Sequence, residues 1–70
     1  MLNLQSHEVK AELVRIQTKQ TDIANRLGYN RRMVSYVLRT WGINRERDCQ
    51  ADRIQRYIIK ILTRSYKKAA

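Results

Sequence analysis

The chain has 70 residues, 15 Lys and Arg against 6 Asp and Glu, a net charge of +9 and a sequence pI near 10.5. That length admits one domain, near the lower limit at which a single core sustains a fold. No proline, two glycines and 43% hydrophobic residues favour a compact all-helical chain over a disordered one, and the excess of positive charge directs attention to a polyanionic partner.

A first helix is expected from Ser6 as N-cap to about Gln17, with Glu8 in its first turn and Val9, Leu13 and Ile16 at i, i+4 and i+7. A second follows over about Lys19 to Leu27, with Thr18 as cap, Asp22 near its start and Ile23, Ala24 and Leu27 turned inward. Gly28 ends it, because the residue just past a helix commonly takes positive φ, which glycine does without a Cβ penalty. Asn30 caps a third helix from Arg31 to about Thr40, whose Val34, Val37 and Leu38 repeat the apolar spacing. Ala24 is small where these two helices would cross. Trp41 and Ile43 flank Gly42 in the next connection, where a large side chain can close the core between helices, Trp41 being read as a core residue, and NRERD reads as a charged loop or a loose turn. A fourth helix, capped by Asp48, is expected over about residues 49–66, with Ala51, Ile54, Ile58, Ile61, Leu62 and Ser65 on its inner face and a fraying tail YKKAA. The expected fold is therefore all-α, a compact bundle of four to five short helices in one domain over residues 1–70, containing a helix-turn-helix over residues 20–39.

Other chemistries lack their parts. There is no glycine-rich phosphate loop, no nucleophile with an orienting histidine and no carboxylate pair expected to share a pocket, so no enzyme is expected. Cys49 is alone and is read as a reduced bystander; His7 has no ligand partner at metal spacing, so neither metal nor cofactor is expected. No apolar run approaches about 18 residues, and MLNLQSHEV lacks the charged start and apolar stretch of a signal peptide, so a cytoplasmic, non-membrane protein is expected.

Gln20, Ile23, Ala24, Leu27, Gly28, Val34, Val37 and Leu38 resemble the pattern of the lambda-repressor-like, Cro and C1 type, helix-turn-helix family. The match is close over about 20 residues and loose over the first and fourth helices. Within the family, the size and the LGYNRRMVSYVL segment resemble small phage regulators of the Ner kind and the autorepressors associated with anti-CRISPR operons. The resemblance implies a transcriptional regulator that binds an inverted repeat of double-stranded DNA as a homodimer, repressing its own operon, with no small-molecule ligand. The connection RTWGINRERD is longer than the short Asn-Gly loop frequent in the family.

A recognition helix lies in the major groove with its outward residues against base edges. Arg31, Arg32, Ser35 and Tyr36 are the candidates for base contact; an arginine fork matches guanine O6 and N7. Gln20, at the start of the second helix, resembles the family's glutamine that bonds a backbone phosphate. Lys19, Arg39, Arg45 and Arg47 are the other candidate phosphate contacts, with mutual pairing among Arg45, Glu46, Arg47 and Asp48 an equal alternative for the last two arginines. Tyr57, Ile59 and Tyr66 lie off the main stripe of the fourth helix and form a candidate dimer seam. Two other functions stay open: an antitoxin that neutralises a protein toxin while repressing its operon, and a basic helical adaptor for RNA or an acidic protein.

Overall fold

Three helices in this chain begin with a carboxylate folded back onto the backbone. In the computed structural model, which describes the backbone of residues 4–69 and the side chains of residues 4–67, α1 spans Ser6–Arg15, α2 Gln20–Leu27, α3 Arg31–Arg39 and α4 Gln50–Ala69. The Gln5 N–H donates to Glu8 Oε1 (3.1 Å), the Lys19 N–H to Asp22 Oδ2 (3.3 Å) and the Asp48 N–H to Asp52 Oδ2 (3.1 Å). Each bond satisfies an amide that the first helical turn leaves without a partner, and each carboxylate opposes the positive end of the helix dipole. α3 is different: Asn30 Oδ1 accepts from the Met33 N–H (2.9 Å), and its first turn carries no acid.

These caps correct the sequence reading at three places. Ser6 is the first helical residue rather than the N-cap, because its hydroxyl donates to the Leu38 carbonyl of α3; Gln5 takes the cap position. Thr18 does not cap α2. Its N–H donates to the Leu13 carbonyl (2.9 Å) across Gln17, which sits at φ 59°, so α1 stops at Arg15 and Thr18 belongs to its exit. At α4 the cap position belongs to Cys49, whose carbonyl accepts from Arg53 (3.0 Å) and whose Sγ accepts from the Asp52 N–H (3.4 Å). Asp48, at φ 66°, instead turns its carboxylate to Arg56 (2.6 Å).

The core is built from all four helices: Val9 and Leu13, Ile23 and Ala24, Val34, Val37 and Leu38, and Ile54, Ile58 and Leu62. Burial of one such aliphatic side chain contributes about 1.5 to 3 kcal/mol, which is why ten of them suffice for a domain this small. No polar or charged side chain is buried among the described residues. α3 packs against α1, α2 and α4, and α2 also against α4. Gly28 closes α2 at φ 77°, with the Tyr29 N–H donating to the Ala24 carbonyl (2.9 Å); a Cβ at Gly28 would meet nothing within 4 Å, so the requirement is conformational and not steric. α2, a three-residue turn and α3 make an order compatible with a helix-turn-helix.

α4 begins within a residue of the expected start and ends three residues beyond the expected end. At about 1.5 Å per residue its 20 residues cover nearly the full 32 Å long axis of the molecule. Near its end Arg15 of α1 donates to Ser65 Oγ (3.1 Å) and lies over the Tyr66 ring (5.4 Å), and the helix continues to Ala69. Residues 1–3 and 70, which carry the leader expectation and the last residue of the tail, lie outside the described part. Trp41 packs partly buried on the core as expected, but Ile43 is 55% exposed and closes nothing. No described helix is long and apolar enough to cross a membrane.

Candidate nucleic-acid interface

The buried stripe of α3 decides what its other face presents. With Val34, Val37 and Leu38 sealed in the core, the 3.6-residue period turns Arg31, Arg32, Ser35, Tyr36 and Arg39 outward. Arg31, Ser35 and Arg39, at i, i+4 and i+8, form one row, and together with Arg32 and with Gln20 of α2 they line a shallow hollow of about 290 Å³. Four of the predicted contact residues from α3 and one from α2 are thus brought together. Gln20 and Arg31, the first residues of α2 and α3, both line this hollow.

The ion pairs among the described residues lie on α1 and around the start of α4. Among the described residues the ion pairs are Glu12 with Arg15, and Asp48 and Asp52 with Arg56. Hydrogen bonding from Arg15, and then contact with Tyr66, holds Glu12 below the usual carboxylate range. Arg56 foremost, with the Asp48 N–H, does the same for Asp52. Burial pushes the Tyr66 phenol up, and Glu12 adds to the shift. None of these pairs involves an arginine of α3, and no carboxylate lines the hollow. The ion-paired acids lie on α1 and around the start of α4, and the cations of α3 face outward.

The other predicted residues are distributed around that centre. Lys19 lines a neighbouring open groove of about 810 Å³, which shares Gln20 and Arg31 with the first and adds Lys10 and Val14 of α1. Lys10 carries no local sequence signal; only the placement of α1 beside the start of α2 brings it there. Val14 is 76% exposed, while Leu13 and Leu38, which back the groove, are almost wholly covered. Tyr36 is 45% exposed but does not line the hollow; it lies on the opposite edge of α3, with the Arg45 guanidinium 5.8 Å from its ring centre. Arg47 is exposed and outside the lining of either depression.

Arg45 is engaged within the fold. Its Nη2 donates to the Thr40 carbonyl and Thr40 Oγ1 (2.9 Å each) and, longer, to the Val37 carbonyl (3.4 Å), and its Nε donates to Gln55 Oε1 of α4 (3.2 Å). The expected pairing within Arg45, Glu46, Arg47 and Asp48 is not what forms, because Asp48 is taken by Arg56 and Arg45 by the C-terminal carbonyls of α3. Of the candidate seam residues, Tyr57 packs against the core and Tyr66 lies beneath Arg15, while Ile59 is half-buried on α4. Cys49 is free, partly buried and occupied as the cap of α4. No group of three or more potential metal ligands occurs among the described residues.

The chain matches no protein-family model, no curated protein and no solved structure.

Proposed function

We propose that this is a non-enzymatic, sequence-specific double-stranded DNA-binding protein, a transcriptional repressor of its own operon of the small phage-regulator kind, with α3 as its recognition helix. The observation that carries the reading is the row of Arg31, Ser35 and Arg39, with Arg32 and Gln20, on the solvent face of a helix whose arginines have no ion-pair partner among the described residues. Arg31 and Arg32 lie in the first turn of α3, the turn that enters the major groove first in such proteins, and an arginine there reads guanine bidentately. Gln20, Lys19 and Arg39 flank this centre and fix register on phosphates without reading sequence. RNA is less well suited, because sequence-specific RNA readers stack bases on exposed aromatics, and the hollow is lined by none.

One recognition helix covers too few base pairs to be selective, which supports a two-fold dimer with α3 copies about 34 Å apart and half-sites with centres about 10 to 10.5 bp apart. The outer edge of α4 around Ile59 is the proposed seam. Selection of bound sites from a random duplex library tests class and symmetry together: an inverted repeat at that spacing is expected, and recovery of no preferred sequence would overturn the reading. Ile59→Asp should lower the sedimentation mass and the affinity for the full site far more than that for a half-site, with helical circular dichroism retained.

A further inference from the structure

An exposed tyrosine on a recognition surface is of little use unless something fixes its rotamer. Tyr36 is 45% exposed, and a side chain with that much freedom samples several staggered wells in solution. Its neighbour Arg45 does not share that freedom. Four hydrogen bonds hold the Arg45 guanidinium: to the Val37 and Thr40 carbonyls at the end of α3, to the Thr40 hydroxyl, and to the Gln55 side chain of α4. The Thr40 hydroxyl in turn donates to the Tyr36 carbonyl (2.8 Å), so the backbone beneath the tyrosine belongs to the same network. A cation at this end of α3 is also favoured by the negative end of the helix dipole. With Cζ 5.8 Å from the ring centre, Arg45 is within the range over which a guanidinium attracts an aromatic face.

From this network, and resting on the DNA-binding reading above, we infer that Arg45 is a positioning residue: it sets the orientation of Tyr36 on α3 and thereby the base-pair preference at the edge of the recognition surface opposite Gln20. The rotameric freedom that Tyr36 would lose on meeting DNA is then already restricted in the free protein, which is how preorganisation raises discrimination. This role differs from that of a phosphate clamp in one decisive respect. A clamp needs only a positive charge, which lysine supplies, whereas the planar fork that bonds two carbonyls, a hydroxyl and an amide while stacking on a ring is specific to arginine.

The test uses the full-length protein and the duplex recovered with wild type from the random library, with every single-base variant of that duplex. Arg45→Ala and Tyr36→Ala should relax discrimination at the same base pair, each by roughly tenfold, and the double variant should lose no more than either alone. Arg45→Lys should behave like Arg45→Ala. Gln55→Leu removes one anchor without touching charge or ring and should relax the same base pair by a smaller factor. Circular dichroism at the binding temperature confirms that each variant is folded. The dependence of log affinity on log salt should keep its wild-type slope in all of them.

Restoration by Arg45→Lys, or uniform weakening across all duplexes with a slope reduced by about 0.9 in Arg45→Ala, would make Arg45 a phosphate contact and overturn the inference. A lowered melting temperature with both profile and slope unchanged would overturn it as well, leaving a purely structural residue. Failure of the wild type to select any duplex would remove the inference together with the reading beneath it, whereas selective binding by wild type with an intact Arg45→Ala profile removes the inference alone.

Discussion

The amino ends of α1, α2 and α4 each place a carboxylate, Glu8, Asp22 or Asp52, against the positive end of the helix, and each carboxylate accepts from a backbone amide at the cap or, for Asp52, from the residue before it. The amino end of α3 places Arg31 and Arg32 there instead, with no acid in its first turn. Charge at a helix end contributes about 0.3 to 1 kcal/mol with the sign of the dipole, so three helices take a local stabilisation that the fourth gives up. A local cost taken at a surface position is expected where that position serves something other than the fold, which is why this helix end supports the proposed role of α3. The described ion pairs, Glu12 with Arg15 and Asp48 and Asp52 with Arg56, lie on α1 and around the start of α4 and leave this surface without an acid.

The largest expected effect lies on the exceptional helix. Arg31→Ala and Arg32→Ala should each leave the melting temperature near that of wild type, and at least one should cost about 1 to 3 kcal/mol in duplex affinity with preference relaxed at a single base pair. Lys19→Ala should weaken all duplexes alike and reduce the salt slope by about 1. Affinity profiles over single-base variants, measured at two or more salt concentrations, separate the two patterns. If both α3 variants keep the wild-type profile, the contrast between helix ends has no bearing on sequence reading.

Next comes the joint that presents α3. Ala24→Leu overfills a buried position between α2 and its neighbours and should destabilise by about 1 to 3 kcal/mol. Gly28→Val forces a β-branched residue to a φ near 77° in otherwise open space, with a cost of similar order, so its loss would isolate backbone strain from crowding. Thermal melts of both variants measure this. Unchanged melting temperatures would mean that the α2–α3 turn does not set the position of the arginines.

A smaller effect carries the opposite sign. Arg32→Glu restores to α3 the acid that the other three helices have, and should stabilise the folded protein by about 0.3 to 1 kcal/mol while abolishing duplex binding. A lower melting temperature would show that Arg32 supports the fold. The smallest effect is that of pH. Glu12 and Asp52 have pKa values below their unfolded values, so the stability they contribute is present above about pH 4 and is lost as the pH falls through the lower folded values. Both pair with exposed arginines, so the loss should be modest and should shrink at high salt. Melts between about pH 5 and 2 at low and high ionic strength check it.

Helix number, the inner faces and the turn at Gly28 were legible because they follow from period and from backbone preference. Val34, Val37 and Leu38 on α3 and Ile54, Ile58 and Leu62 on α4 had to be inside for any compact fold to exist. The caps were less legible. Ser6 and Thr18 have good capping side chains, yet the Ser6 hydroxyl is claimed by the Leu38 carbonyl from 32 residues away, and Thr18 is held by the exit from α1. Asp48 lost its expected place to Cys49 because Arg56, two turns along α4, offers it a charged partner.

Composition and period alone determined that this chain is helical, which residues it buries and which face of α3 carries the arginines, because those properties depend on neighbours within four or five positions. Only the tertiary structure decided what each charge meets. Arg45 and Arg47 are two residues apart in a uniformly charged loop, and nothing local distinguishes them. Arg45 reaches the carbonyls of α3 and the amide of Gln55, while Arg47 stays exposed, because the chain path after Gly42 brings α3's carboxyl end and α4 around one of them. The lining of the hollow by Gln20 together with Arg31, Ser35 and Arg39 has the same origin: it requires two helices to be set against each other, and burial of Ala24, Val34 and Val37 is what sets them.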